Sequence, residues 1–423
     1  MRKALLAAAA AAAVASAVVL AGCSSNTGSG SDAPADHNLS ASISYAFWDV
    51  NQKPAMDTLI KDFNKEYPNI KVTTQITPYA NYFTKLQTQG SSKTLPDVFW
   101  MNGPNFQLYA SNGLLEPIGS GIKPANYPKA LNDLYSWDGK QYGVPKDFDT
   151  IGVFYNKAVF DKAGVAYPTA NWTWDEFHQK AKEISDKLKG EGVYGVASGL
   201  SGGQEMYYNT ILQAGGSIIA SDGKKSGYDD PNSIKCLQFV RDLIADGSSP
   251  TLSQLSDTPQ DQWFINSKSA MIWSGTWLNS ELLASPIKNT IALAPLPTGE
   301  RQATVIHGLA NVVAKDSKNK AAAIAFQDYL GGKQAAETQA KLGAANPAFN
   351  GTQQAFVDTA PWDLNIFEKA AADYAFPYPI SKNTAAWNKL ENDLLPDAFS
   401  GKKPVDEVAK ELATQMNAAL AKE

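Results

Sequence analysis

The chain has 423 residues, with 37 basic and 42 acidic side chains and a formal net charge of −5. That length is too great for one ordinary core and suits two packed lobes. No basic run or stripe is present, which excludes nucleic acid as an expected partner. With three His and two Cys the chain is too poor in soft ligands for a transition-metal enzyme, so neither a metal nor another cofactor is expected.

Arg2 and Lys3 precede an apolar run, Ala4 to Leu20, that is too short and Ala-rich for a comfortable membrane span. It ends at Leu20-Ala21-Gly22-Cys23, which resembles a bacterial lipobox. That resemblance implies a lipoprotein signal peptide over 1–22 and a diacylglyceryl anchor on Cys23, holding the protein at the extracellular face of the cytoplasmic membrane. Two acyl chains, at ~0.8 kcal/mol per buried CH₂, are enough for stable attachment. Beyond Cys23, residues up to 41 are Ser, Asn, Gly, Asp, Ala and Pro and read as a flexible tether. Cys236 is then alone, so no disulfide within the chain is possible; its helical pattern with Leu237 and Val240 predicts a buried structural thiol.

Ser42 to Trp48 reads as a buried strand, and Pro54 to Tyr67 carries Met56, Leu59, Ile60, Phe63 and Tyr67 at helical spacing. Ile70 to Ile76 is a second strand, Tyr79 to Gln89 a helix and Asp97 to Met101 a third strand. This alternation predicts a parallel sheet covered by helices, an α/β fold whose ligands sit at the carboxyl ends of the strands. Tyr142 to Tyr155 is mostly extended. Helices are predicted over Trp174 to Leu188, with Thr173 as N-cap, and over Pro231 to Asp246. Asp222-Gly223 reads as a hairpin turn, and Asp229-Asp230 as a helix cap. Val305 to Ala314 is strand-like, Ala321 to Leu342 one helix stopped by Gly343, and Asn365 to Asp373 and Val405 to Lys422 are further helices.

Several segments in order resemble the solute-binding proteins of carbohydrate ABC transporters, the maltose-binding-protein-like class. They are Pro96-Asp97-Val98-Phe99, Tyr109 to Leu115, Gly143-Val144-Pro145 with Tyr155-Asn156-Lys157, and Ala270-Met271. Gly275-Thr276-Trp277, Ala294 to Pro297, and Gly343-Ala344 leading to Asn346-Pro347 complete the set. The resemblance implies a two-lobed periplasmic-binding-protein-like fold, each lobe a sheet flanked by helices, joined by hinge strands. By that analogy lobe one holds 42–150 and 308–348, and lobe two holds 151–307 and 349–423. It further implies a monomeric receptor that closes on an oligosaccharide and hands it to the transmembrane permease subunits of an ABC importer.

A sugar offers fixed hydroxyls and apolar C–H faces, so its site needs carboxylates, amides and aromatic rings. The resemblance places Trp277 at a sugar-stacking aromatic, with Gly275 letting the backbone approach ligand; Trp273 is a second aromatic candidate. Asp147 and Asp149 flank Phe148, and on an extended segment both carboxylates share one face. The resemblance puts Asp149 where the family carries a sugar-binding acid, while pairing of Lys146 with one of the two is the structural alternative. Trp48, Asp49 and Asn51 follow strand one, and Asp49 serves equally well as a helix cap. Asn102 and Asn105 follow strand three, where turn roles beside Gly103-Pro104 compete. His307 and Asn311 re-enter lobe one, and Trp362, Tyr374 and Tyr378 lie in the C-terminal part of lobe two.

A secreted glycoside hydrolase with Asp147 and Asp149 as paired carboxylates is the alternative, since acids at i and i+2 sit at roughly the separation such enzymes use. A surface adhesin would want exposed repeats, and the sequence shows none.

Overall fold

The computed structural model describes residues 36–200 and 202–423, so the expected signal peptide, Cys23 and most of the tether lie outside the described residues. The last expected tether residues are packed. The His37 ring lies 4.8 Å from that of Tyr67, and the Ala41 N–H donates to the Asn69 carbonyl at 3.2 Å. The reason is local, because the first strand begins at Ala41 and draws its neighbours onto the end of the following helix.

Two sheets organise the chain. In the first, strand Ala41–Phe47 lies between Ile70–Ile76 and Val98–Asn102, parallel to both, with Ala41 opposite Ile70 and Tyr45 opposite Val98. These three strands are as the alternation predicts. The sheet is nevertheless mixed, because Leu309–Ala314 joins it antiparallel to Val98–Asn102 and also pairs with Leu115–Glu116 and Gly143–Pro145. A strand returning from the far sheet enters from the opposite end, which reverses its direction. The second sheet has the order Ile291–Ala294, Gly152–Asn156, Ser269–Ser274, Tyr194–Ala197. Each sheet buries its own apolar clusters: Phe47, Phe63, Trp100 and Phe326 at the first, Val153, Phe177, Val196 and Trp273 at the second.

Helix boundaries follow local chemistry. Helix Trp174–Leu188 carries a full capping box, in which the Thr173 hydroxyl and the Glu176 carboxylate satisfy each other's backbone N–H groups. Helix Pro231–Ala245 is capped by Asp230. Helix Asn365–Asp373 matches its predicted span, and Cys236 is fully buried, with burial pushing its thiol up to about 12.

Two predicted elements are divided. The helix expected over 321–342 is Lys320–Leu330 followed by Lys333–Lys341, because Gly331-Gly332 interrupts it at a cost of ~1 kcal/mol per glycine in a continuous helix. The strand expected over 305–314 is Thr304–Ile306, paired with Ala375–Pro377, and then Leu309–Ala314 in the first sheet. His307-Gly308 lies between them. A Cβ on Gly308 would fall 2.1 Å from the Asp147 carbonyl oxygen, so only glycine lets these two crossing segments lie this close.

Candidate functional site

Three chain segments cross between the sheets side by side. Residues 146–149 form the middle. The Lys146 N–H donates to the Leu309 carbonyl at 2.7 Å, and Asp149 and His307 exchange backbone bonds at 2.8 and 3.1 Å. On the other flank the Ala348 N–H donates to the Lys146 carbonyl and the Phe148 N–H to that of Asn346. This ribbon is the hinge, and it contains both Asp147 and Asp149.

Their carboxylates are used internally. Asp147 is 3 % exposed; it accepts from Lys146 Nζ at 2.7 Å and from the Leu309 N–H at 2.9 Å. Lys146 Nζ also donates to Gln52 Oε1 at 2.8 Å and sits 4.4 Å above the Trp100 ring. The predicted Lys146 pairing thus exists, but buried in the hinge and not on a surface loop. Asp149 accepts from both the N–H and the hydroxyl of Thr276. Burial holds its carboxyl well above the usual carboxylate range, reinforced by the nearby Asp147 charge and opposed by the Thr276 bonds. A carboxylate with these partners braces the turn that carries Trp277.

A cleft of about 930 Å³ opens between the two sheets, lined by Trp48, Asp49, Asn51 and Tyr79 from the first side. From the second side come Ser198, Glu205, Gln260, Asp261, Trp277 and Glu281. The first group follows the carboxyl ends of strands Ala41–Phe47 and Ile70–Ile76, where the topology places ligands. Trp48 and Tyr79 meet edge to face at 5.4 Å, and Tyr79 is 56 % exposed. Asp49 caps the short turn Val50–Gln52, accepting from the Asn51 N–H at 2.9 Å and from Gln52 Nε2 at 3.0 Å. It therefore serves as a cap and also lines the cleft.

Trp277 follows strand Ser269–Ser274, and its indole packs on the half-buried His307 ring at 5.4 Å. Burial lowers His307 to about 4, so it is neutral at pH 7. Gly275 has a different use from the one expected. A Cβ there would lie 1.9 Å from the Trp277 ring, so the missing side chain makes room for the indole itself and not for a ligand.

The other sequence candidates lie away from the cleft wall. Trp273 is fully buried against Phe177, and Trp362 is buried in the cluster around Phe154 and Phe367. Their apolar strand and loop patterns are those of core. Asn102 caps helix Gly103–Ser111 and donates to the Tyr79 hydroxyl at 3.2 Å, while Asn105 donates to Asn102. Both stand behind Tyr79. Asn311 accepts from the buried Tyr45 hydroxyl at 2.9 Å, and half-buried Tyr374 ends helix Asn365–Asp373.

Sequence reasoning missed Tyr79, Glu205, Asp261 and Glu281. Tyr79 was findable, since it stands directly after the second strand. Glu205 follows the Gly202-Gly203 turn after strand Tyr194–Ala197, and both glycines have positive φ. Asp261 and Glu281 carry no local signal. Burial pushes Glu205 up to about 7, opposed by the Ser274 hydroxyl donating at 3.0 Å and aided by the Asp261 charge. Glu281 is raised by burial first, then by Asp261 and Asp49. A smaller hollow of about 670 Å³ near Pro231 and Pro404 holds none of the candidates, and its Lys235 and Lys403 are paired with Glu300 and Glu411.

Two α/β lobes, a multi-strand hinge and an aromatic-walled cleft define a clamp-like binding protein. The chain belongs to the bacterial extracellular solute-binding protein family, whose model matches residues 49–337. It is 26% identical over 337 residues to the arabinooligosaccharide-binding protein of Bacillus subtilis, covering 74% of this chain and 73% of that protein. It is 26% identical over 392 residues to the diacetylchitobiose binding protein DasA of Streptomyces coelicolor, covering 86% of each. Among solved structures, an ABC substrate-binding protein of Listeria monocytogenes in complex with cycloalternan matches with a TM-score of 0.85 and 27% identity, over 90% of this chain and 100% of that one. These relatives are named as binding proteins. The hydrolase alternative finds no support, because Asp147 and Asp149 are committed to the hinge.

Proposed function

We propose that this protein is a receptor that closes its two lobes on an oligosaccharide and delivers it to the permease of an ABC importer. The observation that carries this reading is the cleft: aromatic faces on both sides, Trp48 and Tyr79 opposite Trp277, among carboxylates and amides that accept and donate to hydroxyls. The names of the relatives support the same ligand class. The lobes divide as 42–150 with 308–348 and 151–307 with 349–423, in keeping with the strand membership of the two sheets. Ligand shifts the open–closed equilibrium by its differential affinity for the closed state, in which both walls reach it.

Trp277, Trp48, Asp49 and Asn51 are the contacts foreseen from sequence that line the cleft, and Tyr79, Glu205 and Glu281 join them. We further propose that Cys23 carries a diacylglyceryl anchor and that the receptor works as a monomer at the extracellular face of the cytoplasmic membrane. Among the described residues, no helix is long and apolar enough to cross a membrane. The test is a thermal-shift and small-angle scattering panel of oligosaccharides. A ligand at one hundred times its Kd adds about 2.7 kcal/mol to the folded state and shrinks the radius of gyration. No shift with any sugar would overturn the reading.

A further inference from the structure

The Asp49 carboxylate is held from behind. Asp49 lines the cleft, whereas Gln52, only 5 % exposed, does not. One Asp49 oxygen accepts from the Asn51 N–H at 2.9 Å and the other from Gln52 Nε2 at 3.0 Å. A carboxylate offers roughly four acceptor positions, so others stay free for a hydroxyl in the cleft. The opposite end of the Gln52 amide, Oε1, accepts from Lys146 Nζ at 2.8 Å. An ammonium only donates and an ionised carboxylate only accepts, so these two partners together dictate which way the amide faces.

Lys146 is fixed in its turn. It is 6 % exposed, donates to Asp147 at 2.7 Å and lies 4.4 Å above the Trp100 ring. Trp100 packs edge to face on the cleft residue Trp48 at 5.2 Å. Asp147 accepts the Leu309 N–H at 2.9 Å, so the bonds that begin at Asp49 end on two segments of the hinge ribbon. Gln52 is the joint between the part of this chain that faces ligand and the part that faces the hinge. Without it the turn cap still holds one Asp49 oxygen, but the torsion that aims the carboxylate has a broad, soft preference.

Resting on the oligosaccharide reading, we propose that Gln52 is a positioning residue. It aims the Asp49 carboxylate at a sugar hydroxyl and ties that aim to the Lys146–Asp147 pair, so the contact is preorganised before sugar arrives.

The experiment is titration calorimetry on the mature protein with maltotriose, cellotriose, xylotriose and arabinotriose. Gln52→Met, close in volume but without the amide, is expected to lose about tenfold in affinity, as one misplaced hydrogen bond costs. Asp49→Ser keeps the turn capped and removes the carboxylate. In that background Gln52→Met is expected to cost less than about twofold, because nothing is left to aim. Gln52→Glu keeps an acceptor for Lys146 but turns a second carboxylate on Asp49. Its affinity is expected to fall at neutral pH, where the two repel. Toward about pH 5 the pair shares a proton, an O–H again donates to Asp49, and affinity returns toward the parent's. The ratio of variant to parent affinity removes the titration of Glu205, which both contain, and it decides the matter if Gln52→Met does not fold. No loss from Gln52→Met, an equal loss in both backgrounds, or a Gln52→Glu ratio flat with pH overturns the positioning role and leaves the receptor reading standing. Failure of every sugar to bind the unaltered protein overturns the receptor reading, and the positioning role with it.

Discussion

Glu391 offers a direct test of how burial is handled in this protein. It lies on helix Thr384–Phe399, 1 % exposed, and among the described residues no Lys, Arg or His nitrogen comes within 4.0 Å of its carboxylate. Its oxygens accept from the Tyr208 hydroxyl at 2.8 Å, from Asn388 Nδ2 at 2.9 Å and from the Tyr228 hydroxyl. Burial outweighs these bonds and pushes the carboxyl from 4.5 up to about 7. The folded state therefore binds the proton more tightly than the unfolded chain. The stability this contributes is complete below the unfolded value and is lost as pH rises from about 4.5 through about 7. At 1.36 kcal/mol per unit, the loss amounts to roughly 3 kcal/mol.

Glu391→Gln imitates the protonated acid, with one acceptor oxygen and a donor. The variant is expected to match the parent within ~1 kcal/mol near pH 4.5 and to be more stable by up to ~3 kcal/mol at pH 8. Chemical denaturation of both proteins across that range gives the difference, from which Glu205 cancels because both proteins contain it. A difference that stays constant with pH, or a variant that is weaker at pH 8, would refute the reasoning.

Further outcomes follow from the cleft and the hinge. Trp277→Ala removes a ring that a sugar face would cover, so calorimetry should show about 2 kcal/mol lost, roughly thirtyfold in Kd, with the fold retained by circular dichroism. Gly275→Ala places a methyl group where the Trp277 ring lies, and is expected to weaken sugar binding comparably although Trp277 is still present; unchanged affinity would contradict the seating role. Lys146→Met leaves Asp147 buried without its cation and should lower unfolding stability by ~3–5 kcal/mol in a urea titration, while a loss below 1 kcal/mol would count against a tightly coupled hinge pair. Cys23→Ser is expected to move the protein from the membrane fraction to the medium, read by fractionation and immunoblot.

Much of the fold was legible because its signals are local. Apolar residues at helical spacing, the Thr173–Glu176 box and the positive φ of Gly343 each act within a few residues, so they announce helices and ends wherever the chain goes. The ordered segments around Trp277 pointed to the family, and the first two strand ends pointed to Trp48 and Asp49. The tertiary structure decided how the carboxylates are used. Asp149 looked like a sugar ligand, but its partner Thr276 lies 127 residues away, and only the crossing of the hinge brings them together. Asp261 and Glu281 sit on separate helices with no shared pattern, and the cleft alone makes them neighbours of Glu205 and Asp49. Periodicity and capping are properties of contiguous chain, and the sequence determines them by itself. Whether a charge is paired, buried or left facing a ligand depends on groups distant in sequence, and packing settles that.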